Sequence, residues 1–503
     1  MEIFHGLFAG FSEVLRLEPL FYCFMGVLIG TLIGVLPGIG PVGTMSLLMP
    51  VAYKASPLSA IIMLAGIYYG AMYGGSTTSI LVNIPGEAAS VVTCLDGYQM
   101  ARKGRAGPAL GIAAFGSFIA GTLGLVGLML VAPPLASLAL RFGPPEYFSL
   151  MCVGLTILIY LASGSMVRAI MMAAFGIILG CVGPDSDTGL PRFGFGVPEL
   201  MDGIGLAPFV MGLFGISEVF INIEKEVTDR SIFATRIKGL LPSREDWKAS
   251  IMPISRGSVL GFLLGVLPGG GSIIASFVSY AVEKKVSKHP ERFGTGAIEG
   301  VAAPESANNA ATAGSFVPLL TLGIPPNVVM ALLLGAMMVH GVTPGAFLIQ
   351  QNPEVFWGII ASMYIGNVML LILNLPLISL WVQVLKVPYK ILFPLILLFC
   401  IIGVYSIGNS TFDISIMLGF GVFGYLMRKS GYEPAPMVLA FVLGPLFETA
   451  LRQSLQLSDG SFMIFLTRPI AAGGIIATFL LIISSIIPTL RRKKEAMPRE
   501  EET

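Results

Sequence analysis

Two dense polar runs interrupt apolar sequence, and their side chains are of the kind that bind a metal cation. Residues 74–79 have the sequence Gly-Gly-Ser-Thr-Thr-Ser, and residues 304–309 have the sequence Pro-Glu-Ser-Ala-Asn-Asn. Hydroxyls, side-chain amides and carbonyl groups freed by a helix break are hard oxygen ligands, which suit Na⁺ in broken-helix sites. Interhelical hydrogen bonding, worth about 0.6 kcal/mol per bond, is the alternative role. The density of the runs favours a cation site with these predicted ligands: Ser76, Thr77, Thr78, Asn83, Glu305, Ser306, Asn308 and Asn309.

A seven-residue phrase that occurs twice marks the second group of candidate residues. Gly34–Gly40 has the sequence GVLPGIG and Gly265–Gly271 has GVLPGGG, each between two apolar runs. Because proline lacks an amide proton and glycine permits positive φ, each phrase should end one helix and start another at membrane depth. The exposed amides of the second helix would attract a carboxylate, although glycines that only allow tight packing are the alternative. The predicted substrate-binding residues are Pro37, Gly38, Gly40, Pro268, Gly269, Gly270, Gly271 and Ser272.

The composition defines the class of protein that must position these residues. Hydrophobic residues make up 55% of the 503 and charged residues 12%, whereas a soluble domain carries roughly 25% charge. The mean hydropathy is +0.84. These values predict an all-α polytopic membrane protein. A net charge of +1 with three scattered histidines gives no sign of nucleic-acid binding, and the five cysteines lack the CxxC spacing of metal or redox sites.

The second half of the chain repeats the first beyond the shared phrase. Gly75-Ser76 is echoed by Gly314-Ser315, and Asn83–Gly86 by Gly323–Pro326. A roughly constant offset indicates one duplicated unit of about 200 residues. The predicted segments are an N-terminal segment (1–20), membrane repeat 1 (21–223), a cytoplasmic connector (224–256), membrane repeat 2 (257–450), a C-terminal segment with a final transmembrane helix (451–490) and a cytoplasmic tail (491–503).

Lysine and arginine, which collect on the cytoplasmic side of a membrane, decide how the two repeats are oriented. If residues 21–52 and 257–282 each crossed once, the 30 basic residues would divide almost evenly between the faces. If both are re-entrant hairpins broken at the Pro-Gly phrase, one face holds 24 and the other six. The biased distribution predicts two inverted repeats with about 11 crossings in total. The N-terminus is then outside and the C-terminus cytoplasmic.

Four acids fall at membrane depth, where carboxylates are costly and are functional candidates by default. They are Glu218, Glu299, Glu305 and Glu448. Glu305, inside the Asn-rich run, is the best of them for ion coupling. Glu218 and Glu448 lie near predicted helix ends, where snorkelling or capping is the more natural role.

Several stretches give the chain a resemblance to a known family that runs nearly end to end. They include LDGYQMARKGRAGPALG from Leu95, AIEGVAAPESANNA from Ala297 and LGPLFETALRQSLQLSDGSFMIFLTRPI from Leu443. On these motifs the chain resembles the large membrane permease subunit of the tripartite tricarboxylate transporters. The resemblance implies a multi-pass permease of the bacterial inner membrane that imports a di- or tricarboxylate such as citrate. It also implies two partners, a small integral membrane subunit and a periplasmic solute-binding protein.

The expected mechanism is secondary transport by alternating access, with symport of Na⁺ or H⁺ (Na⁺ is favoured) and no cofactor. The solute and the oligomeric state stay open, a homodimer being one candidate. An anion channel is the first alternative, but paired hairpins favour alternating access over a continuous pore. An intramembrane enzyme is the second. The chain has no GxSxG, HExxH or Walker A motif, so an enzyme is not predicted.

The inverted topology predicts which loops a membrane-impermeant thiol reagent reaches. Cysteine replacements at Ser287 and Arg236 should react from the cytoplasmic side, and a replacement at Ser56 should react from outside. The measurement is labelling in right-side-out and inverted vesicles. Labelling of Ser56→Cys and Ser287→Cys from the same side would rule out the inverted arrangement.

Overall fold

A computed structural model describes residues 2–36, 40–161, 165–185, 188–224, 239–267, 269, 271–384 and 389–496, and these residues are almost entirely helical. Four predicted substrate-binding residues, Pro37, Gly38, Pro268 and Gly270, lie outside the described residues. The same is true of residues 225–238 of the predicted connector and 497–503 of the predicted tail. The described residues form two compact units, one within 1–140 and 204–430 and the other within 141–203 and 431–503. The six predicted segments are not tested by this division and stay predictions.

The first unit contains most of the helices. From the first half of the chain it takes α1 (Glu2–Val14), α2 (Leu17–Val35), α3 (Gly40–Ala52), α4 (Pro57–Val82), α5 (Val91–Arg102), α6 (Ala106–Ala139), α9 (Leu206–Val210) and α10 (Ser217–Glu224), the last two joined by a π-helical segment (Met211–Ile216). From the second half it takes α11 (Arg244–Val266), α12 (Gly271–Val286), α13 (Glu299–Leu322), α14 (Val328–Val339), α15 (Leu348–Gln351), α16 (Pro353–Asn374), α17 (Ile378–Val384), α18 (Tyr389–Gly408) and α19 (Thr411–Lys429).

The second unit is smaller. It consists of α7 (Pro144–Leu161), α8 (Met166–Gly180), a short antiparallel pair β1 (Gly183–Pro184) and β2 (Pro191–Arg192), α20 (Pro434–Leu457), α21 (Ile464–Thr467) and α22 (Pro469–Ala496).

Glu448 pairs with Arg192 and Arg452. The hydrogen bonds to Glu448 raise the pKa of the Arg192 guanidinium above its ordinary value. In the first unit, Glu218 pairs with Arg428, so both acids expected to be structural have a basic partner.

Six of the described helices are long and apolar enough to cross a membrane. They are α2, α4, α6, α11, α16 and α20. By contrast, α14 has 12 residues and is about 18 Å long, shorter than the roughly 30 Å of hydrocarbon in a bilayer. These lengths agree with a polytopic membrane protein, while the number of crossings stays a prediction.

The first Pro-Gly phrase lies between α2 and α3, and these two helices run in opposite directions. Three glycines of α2 face backbone carbonyls of α4. The pairs are Gly26–Met63, Gly30–Ile67 and Gly34–Ala71, so the residue numbers rise together along both helices. Helices α2 and α4 are therefore parallel. The loop after α3 lies beside the start of α2, because the Ser56 amide donates to the Glu18 carboxylate over 3.2 Å. The α2–α3 pair is thus a helical hairpin, named hairpin 1.

The second phrase has the same local structure. Arg256 of α11 forms an ion pair with Glu283 of α12 over 2.6 Å, so the two arms run antiparallel. Three glycines of α11 face carbonyls of α13, as the pairs Gly257–Ala303, Gly261–Ala307 and Gly265–Ala311. Each glycine lies 231 positions after its counterpart in α2, and each carbonyl lies 240 positions after its counterpart in α4. The duplication seen in the sequence therefore extends to the contacts themselves.

The two long helices that pack on these hairpins run antiparallel to each other. Ser76, late in α4, bonds to Glu305, early in α13, whereas the Tyr68 hydroxyl, earlier in α4, interacts with Thr312 and Ser315.

Basic loops of the two halves also lie together. Lys103 donates to the Thr295 carbonyl over 2.6 Å, so the loop after α5 lies at the start of α13.

Asp96 explains how the LDGYQ stretch is used structurally. Its buried carboxylate accepts hydrogen bonds from the backbone amides of Gly294, Gly296 and Ala297 and from the Tyr280 hydroxyl. A carboxylate that accepts several backbone amides is a strong anchor. Asp96 therefore fixes α5 to the loop that precedes α13.

Close packing of α11 on α13 predicts a large stability loss on adding a methyl group. A Cβ at Gly261 would lie 2.2 Å from the Ala307 carbonyl oxygen, so Gly261→Ala should force the helices apart at a cost of about 1–3 kcal/mol. Thermal unfolding in detergent measures the effect. Gly419→Ala, on an exposed helix face with no atom within 4 Å of the added Cβ, is the matched control and should not lower the melting temperature. Equal stability of both variants would refute the packing argument.

Candidate cation and substrate site

Glu305 is the centre of a buried polar cluster in the first unit. Its side chain, on α13, is 1% exposed. The Ser76 hydroxyl of α4 donates to Oε2 over 2.5 Å, and the Thr93 hydroxyl of α5 donates to Oε1. Three helices thus converge on one carboxylate through neutral hydroxyl groups. A buried carboxylate without a basic partner is unusual, because desolvation disfavours the charge.

Asn309 extends the cluster by one turn of α13. Its Nδ2 donates to the Ser117 hydroxyl of α6 over 2.7 Å and to the Glu305 backbone carbonyl over 3.0 Å. On the neighbouring face of the cluster the Tyr73 hydroxyl of α4 donates to Asn367 Oδ1 of α16 over 2.9 Å. Hydroxyl and amide groups from α4, α6, α13 and α16 therefore meet inside the helix bundle.

Asn308 faces a second carboxylate, that of Glu87. Asn308 Nδ2 lies 3.4 Å from Glu87 Oε1, which is at the outer limit for a hydrogen bond. Glu87 Oε2 accepts the Ala89 amide over 2.6 Å and caps the helical turn Ala88–Ser90. The side-chain oxygen of Asn308 is buried and has no hydrogen-bond partner among the described residues. Glu87, which is 7% exposed, is thus a second buried acid of the cluster.

The local sequence explains why Glu87 turns inward. Asn83 ends α4 in a left-handed conformation with φ of 59°, which asparagine tolerates better than most residues. The chain then passes tightly over hairpin 1, because a Cβ at Gly86 would lie 1.9 Å from the Gly34 carbonyl oxygen. A Cβ at Gly75 would lie 2.8 Å from Glu87 Cγ. Small residues on both sides therefore admit the Glu87 loop.

Two small cavities lie on either side of Tyr73. One is lined mainly by Tyr69, Tyr73, Asn309, Thr312 and Asn367. The other is lined by Tyr73, Ser76, Thr77, Ser117 and Asn374 together with apolar residues of α6. Asn374 Oδ1 is buried and has no hydrogen-bond partner among the described residues. The polar cluster is therefore bordered by space that water or a small ion could enter.

The described residues of the hairpin tips have the backbone conformations expected of a break. Gly40, Gly269 and Gly271 have φ of 66°, 77° and 47°. The Gly269 amide donates to the Pro326 carbonyl over 2.7 Å, so this amide is already used. Gly271 begins α12, and the Ser272 side chain after it is buried and interacts with the Tyr68 hydroxyl. Asn327 Nδ2 donates to the same hydroxyl over 3.3 Å.

The structure brings together some of the predicted cation ligands and separates others. Ser76, Glu305, Asn308 and Asn309 belong to the cluster, and Thr77 lines the cavity next to it. Of the remaining three, Thr78 donates to the Val35 carbonyl, Asn83 caps α4, and Ser306 lies against Gly116. The described residues contain no group of three or more His, Cys, Asp or Glu side chains arranged for a metal, so any cation here would need hydroxyl and amide oxygens in addition to a carboxylate.

Asn367 and four further members of the cluster were not predicted from the sequence: Glu87, Thr93, Ser117 and Tyr73. Glu87 carried a signal that could have found it, since this acid directly follows Pro85-Gly86 at the end of an apolar helix. Thr93, Ser117 and Tyr73 are ordinary helix residues whose roles depend on which helices meet. Nothing in their local sequence distinguishes them.

Comparison with known proteins finds similar sequences in Agrobacterium vitis. A protein of Agrobacterium vitis described as "Uncharacterized 52.8 kDa protein in TAR-I ttuC' 3'region" is 52% identical over 502 residues, covering 100% of both chains. A second, described as "Uncharacterized protein in TAR-II ttuC' 3'region", is 53% identical over 242 residues, which are 48% of this chain and 100% of that protein. No solved structure matches the chain significantly.

The family match covers most of the polypeptide. Residues 20–439 match the family described as "Tripartite tricarboxylate transporter TctA family". Membership means a multi-pass membrane transporter component rather than an enzyme. It implies a small membrane subunit and a periplasmic binding protein as partners. The chain therefore belongs to the TctA family and is the large permease subunit of a tripartite tricarboxylate transporter.

Proposed function

We propose that this permease imports a di- or tricarboxylate across the bacterial inner membrane by cation-coupled alternating access. The periplasmic binding protein delivers the solute, and an inward gradient of Na⁺, or alternatively of H⁺, drives its accumulation. The buried carboxylate of Glu305, whose two hydrogen-bond donors are neutral hydroxyls, is the observation that carries the proposal. A bound cation would balance its charge, and loss of the cation would leave the carboxylate unpaired in a low-dielectric interior.

The arrangement of the two halves supports alternating access. The helices α4 and α13 make equivalent contacts to their hairpins at constant offsets, yet they run antiparallel. In an inverted repeat, equivalent elements face opposite sides of the membrane, so that the two halves can exchange conformations around a central site. This internal symmetry supports the re-entrant, inverted organisation predicted from the basic residues.

The substrate site is assigned to the hairpin tips and the donors beside them. Helix α12 begins at Gly271, and the amides of a first helical turn have no acceptor within their own helix. Ser272, Tyr68 and Asn327 provide hydroxyl and amide donors nearby. Carboxylates favour such groups. The predicted residues of both tips, which are Pro37, Gly38 and Gly40 and the five residues from Pro268 to Ser272, are the proposed contact surface for the anion. The homodimer stays a prediction.

Reconstituted transport tests the proposal. Proteoliposomes that contain the permease and its small subunit receive binding protein loaded with a labelled carboxylate, under imposed Na⁺ or proton gradients. Accumulation above the external concentration, lost when the gradient is collapsed, is the expected result. Equilibration without accumulation would instead identify an anion channel.

Asn308→Ala and Asn309→Ala should weaken the cation site in the same assay. Each removes a side-chain carbonyl oxygen, and loss of about 1.4 kcal/mol of binding raises the half-saturating cation concentration roughly tenfold. The concentration of binding protein needed for half-maximal uptake should not change, because that contact lies at the periplasmic face. Unchanged cation dependence in both variants would exclude these amides from the site.

Thr93→Val should destabilise the protein, because it leaves a buried carboxylate oxygen of Glu305 without its hydroxyl donor. The expected loss is about 1–3 kcal/mol in the free energy of unfolding, measured by thermal unfolding in detergent without added Na⁺. Thr321→Val is the matched control. Its hydroxyl, also buried on a helix, donates only to the Val317 carbonyl one turn earlier, so its removal should have little effect. Similar losses in both variants would contradict a special role for Thr93.

A further inference from the structure

We propose that Glu87, together with the side-chain oxygen of Asn308, is a direct ligand of the coupling cation. This inference rests on the proposed function, since it names the carboxylate that balances the charge of the transported cation. It assigns a binding role to a residue in the loop after α4, on the side of the cluster that faces hairpin 1. The chemical class of the ligand is a monovalent metal cation with hard-oxygen preference, with Na⁺ as the probe.

The first argument is the coordination left unused by each carboxylate. Both oxygens of Glu305 accept short hydrogen bonds, from Ser76 and Thr93. Glu87 is different, because Oε2 accepts the Ala89 amide and the carboxylate also caps the Ser90 amide, whereas the side chain that faces Oε1 is Asn308, with Nδ2 at 3.4 Å. Glu87 Oε1 therefore has a weaker donor than either oxygen of Glu305, each of which already accepts a short hydrogen bond from a hydroxyl.

The second argument is the unpartnered amide oxygen beside it. Asn308 is 0% exposed, and its Oδ1 has no hydrogen-bond partner in the part of the chain that the structure describes. Leaving such an acceptor buried and unsatisfied costs about 1–3 kcal/mol. Rotation of the terminal amide would turn Oδ1 toward Glu87. Two oxygen atoms facing each other repel, unless a cation lies between them, and a cation would satisfy both at once.

The third argument is a comparison with the equivalent position in the other half. At the constant offset of 240, Glu87 corresponds to Asn327 and Asn308 corresponds to Tyr68. Both pairs are in contact, since Asn327 Nδ2 donates to the Tyr68 hydroxyl just as Asn308 Nδ2 approaches Glu87. Asn327 also caps the helix that follows it, α14. A neutral amide therefore serves the capping role in the second half, and the charge of Glu87 needs a further explanation.

The test measures equilibrium binding of radiolabelled Na⁺ to the full-length permease, purified in detergent, without substrate. Glu87→Gln keeps the size of the side chain and an oxygen for the cap but removes the charge. Its Na⁺ affinity should fall roughly tenfold or more. Glu299→Gln is the matched control, the same change in the first turn of α13 and outside the cluster, and its Na⁺ affinity should equal that of the wild type.

The outcomes separate this inference from the proposed function. Wild-type protein that binds no Na⁺ would overturn cation coupling by Na⁺ and this inference with it. Wild-type binding with unchanged affinity in Glu87→Gln would overturn the inference alone. If Glu87→Gln does not fold, Gly75→Ala replaces it, because the added Cβ would lie 2.8 Å from Glu87 Cγ and displace the carboxylate without removing its charge. Unchanged affinity in that variant would likewise refute the inference.

Discussion

The close backbone approach between each hairpin and the long helix beside it is the interaction on which the remaining structure depends. Glycine at every fourth position of α2 and α11 lets carbonyl groups of α4 and α13 lie where a side chain would otherwise be. Small residues permit such approaches in membrane helices, whose association cannot depend on the hydrophobic effect. The contact fixes the register and the parallel direction of each pair, and it encloses the two long helices almost completely in protein. Only helices shielded from lipid in this way can carry dense polar runs at low cost.

That enclosure separates polar residues with a structural use from those of the candidate site. Thr31 and Thr321 donate to the carbonyl one turn earlier in their own helix, which satisfies a hydroxyl without involving another element. Ser76, Thr93 and Asn309 instead bond across helices, and each bond involves Glu305 or its neighbours. A hydroxyl that donates its proton to a buried carboxylate on another helix cannot donate it to the carbonyl one turn earlier in its own helix. The cross-helix bonds therefore mark the residues whose arrangement serves the carboxylate.

The helix breaks could be predicted from the sequence, but which helices pack against each other could not. The Pro-Gly phrases suffice to predict both helix breaks, because their cause is local: a missing amide proton and positive φ. Asn308 and Asn309 were also recognisable as unusual at membrane depth. Thr93 and Ser117 were not, since each is an ordinary residue whose role depends on the contact of its helix with α13. The contact of the Thr78 hydroxyl with the Val35 carbonyl of hairpin 1 likewise depends on tertiary packing, and its predicted role as a cation ligand stays a prediction.

The two halves of the chain share the same helix contacts, but a few residues at equivalent positions differ, and these residues would give the two halves different ligand preferences. In the first half a carboxylate faces an amide, as Glu87 and Asn308; in the second an amide faces a phenol, as Asn327 and Tyr68. The first pair presents negative charge and spare oxygen acceptors, whereas the second presents N–H and O–H donors. In the proposed mechanism these two environments would favour opposite ligands, a cation at the first and a carboxylate at the second. Since both sites contact α4 or α13, occupation of one by charge would change the electrostatic free energy of occupying the other. That mutual stabilisation would provide a physical basis for moving the anion only together with the cation.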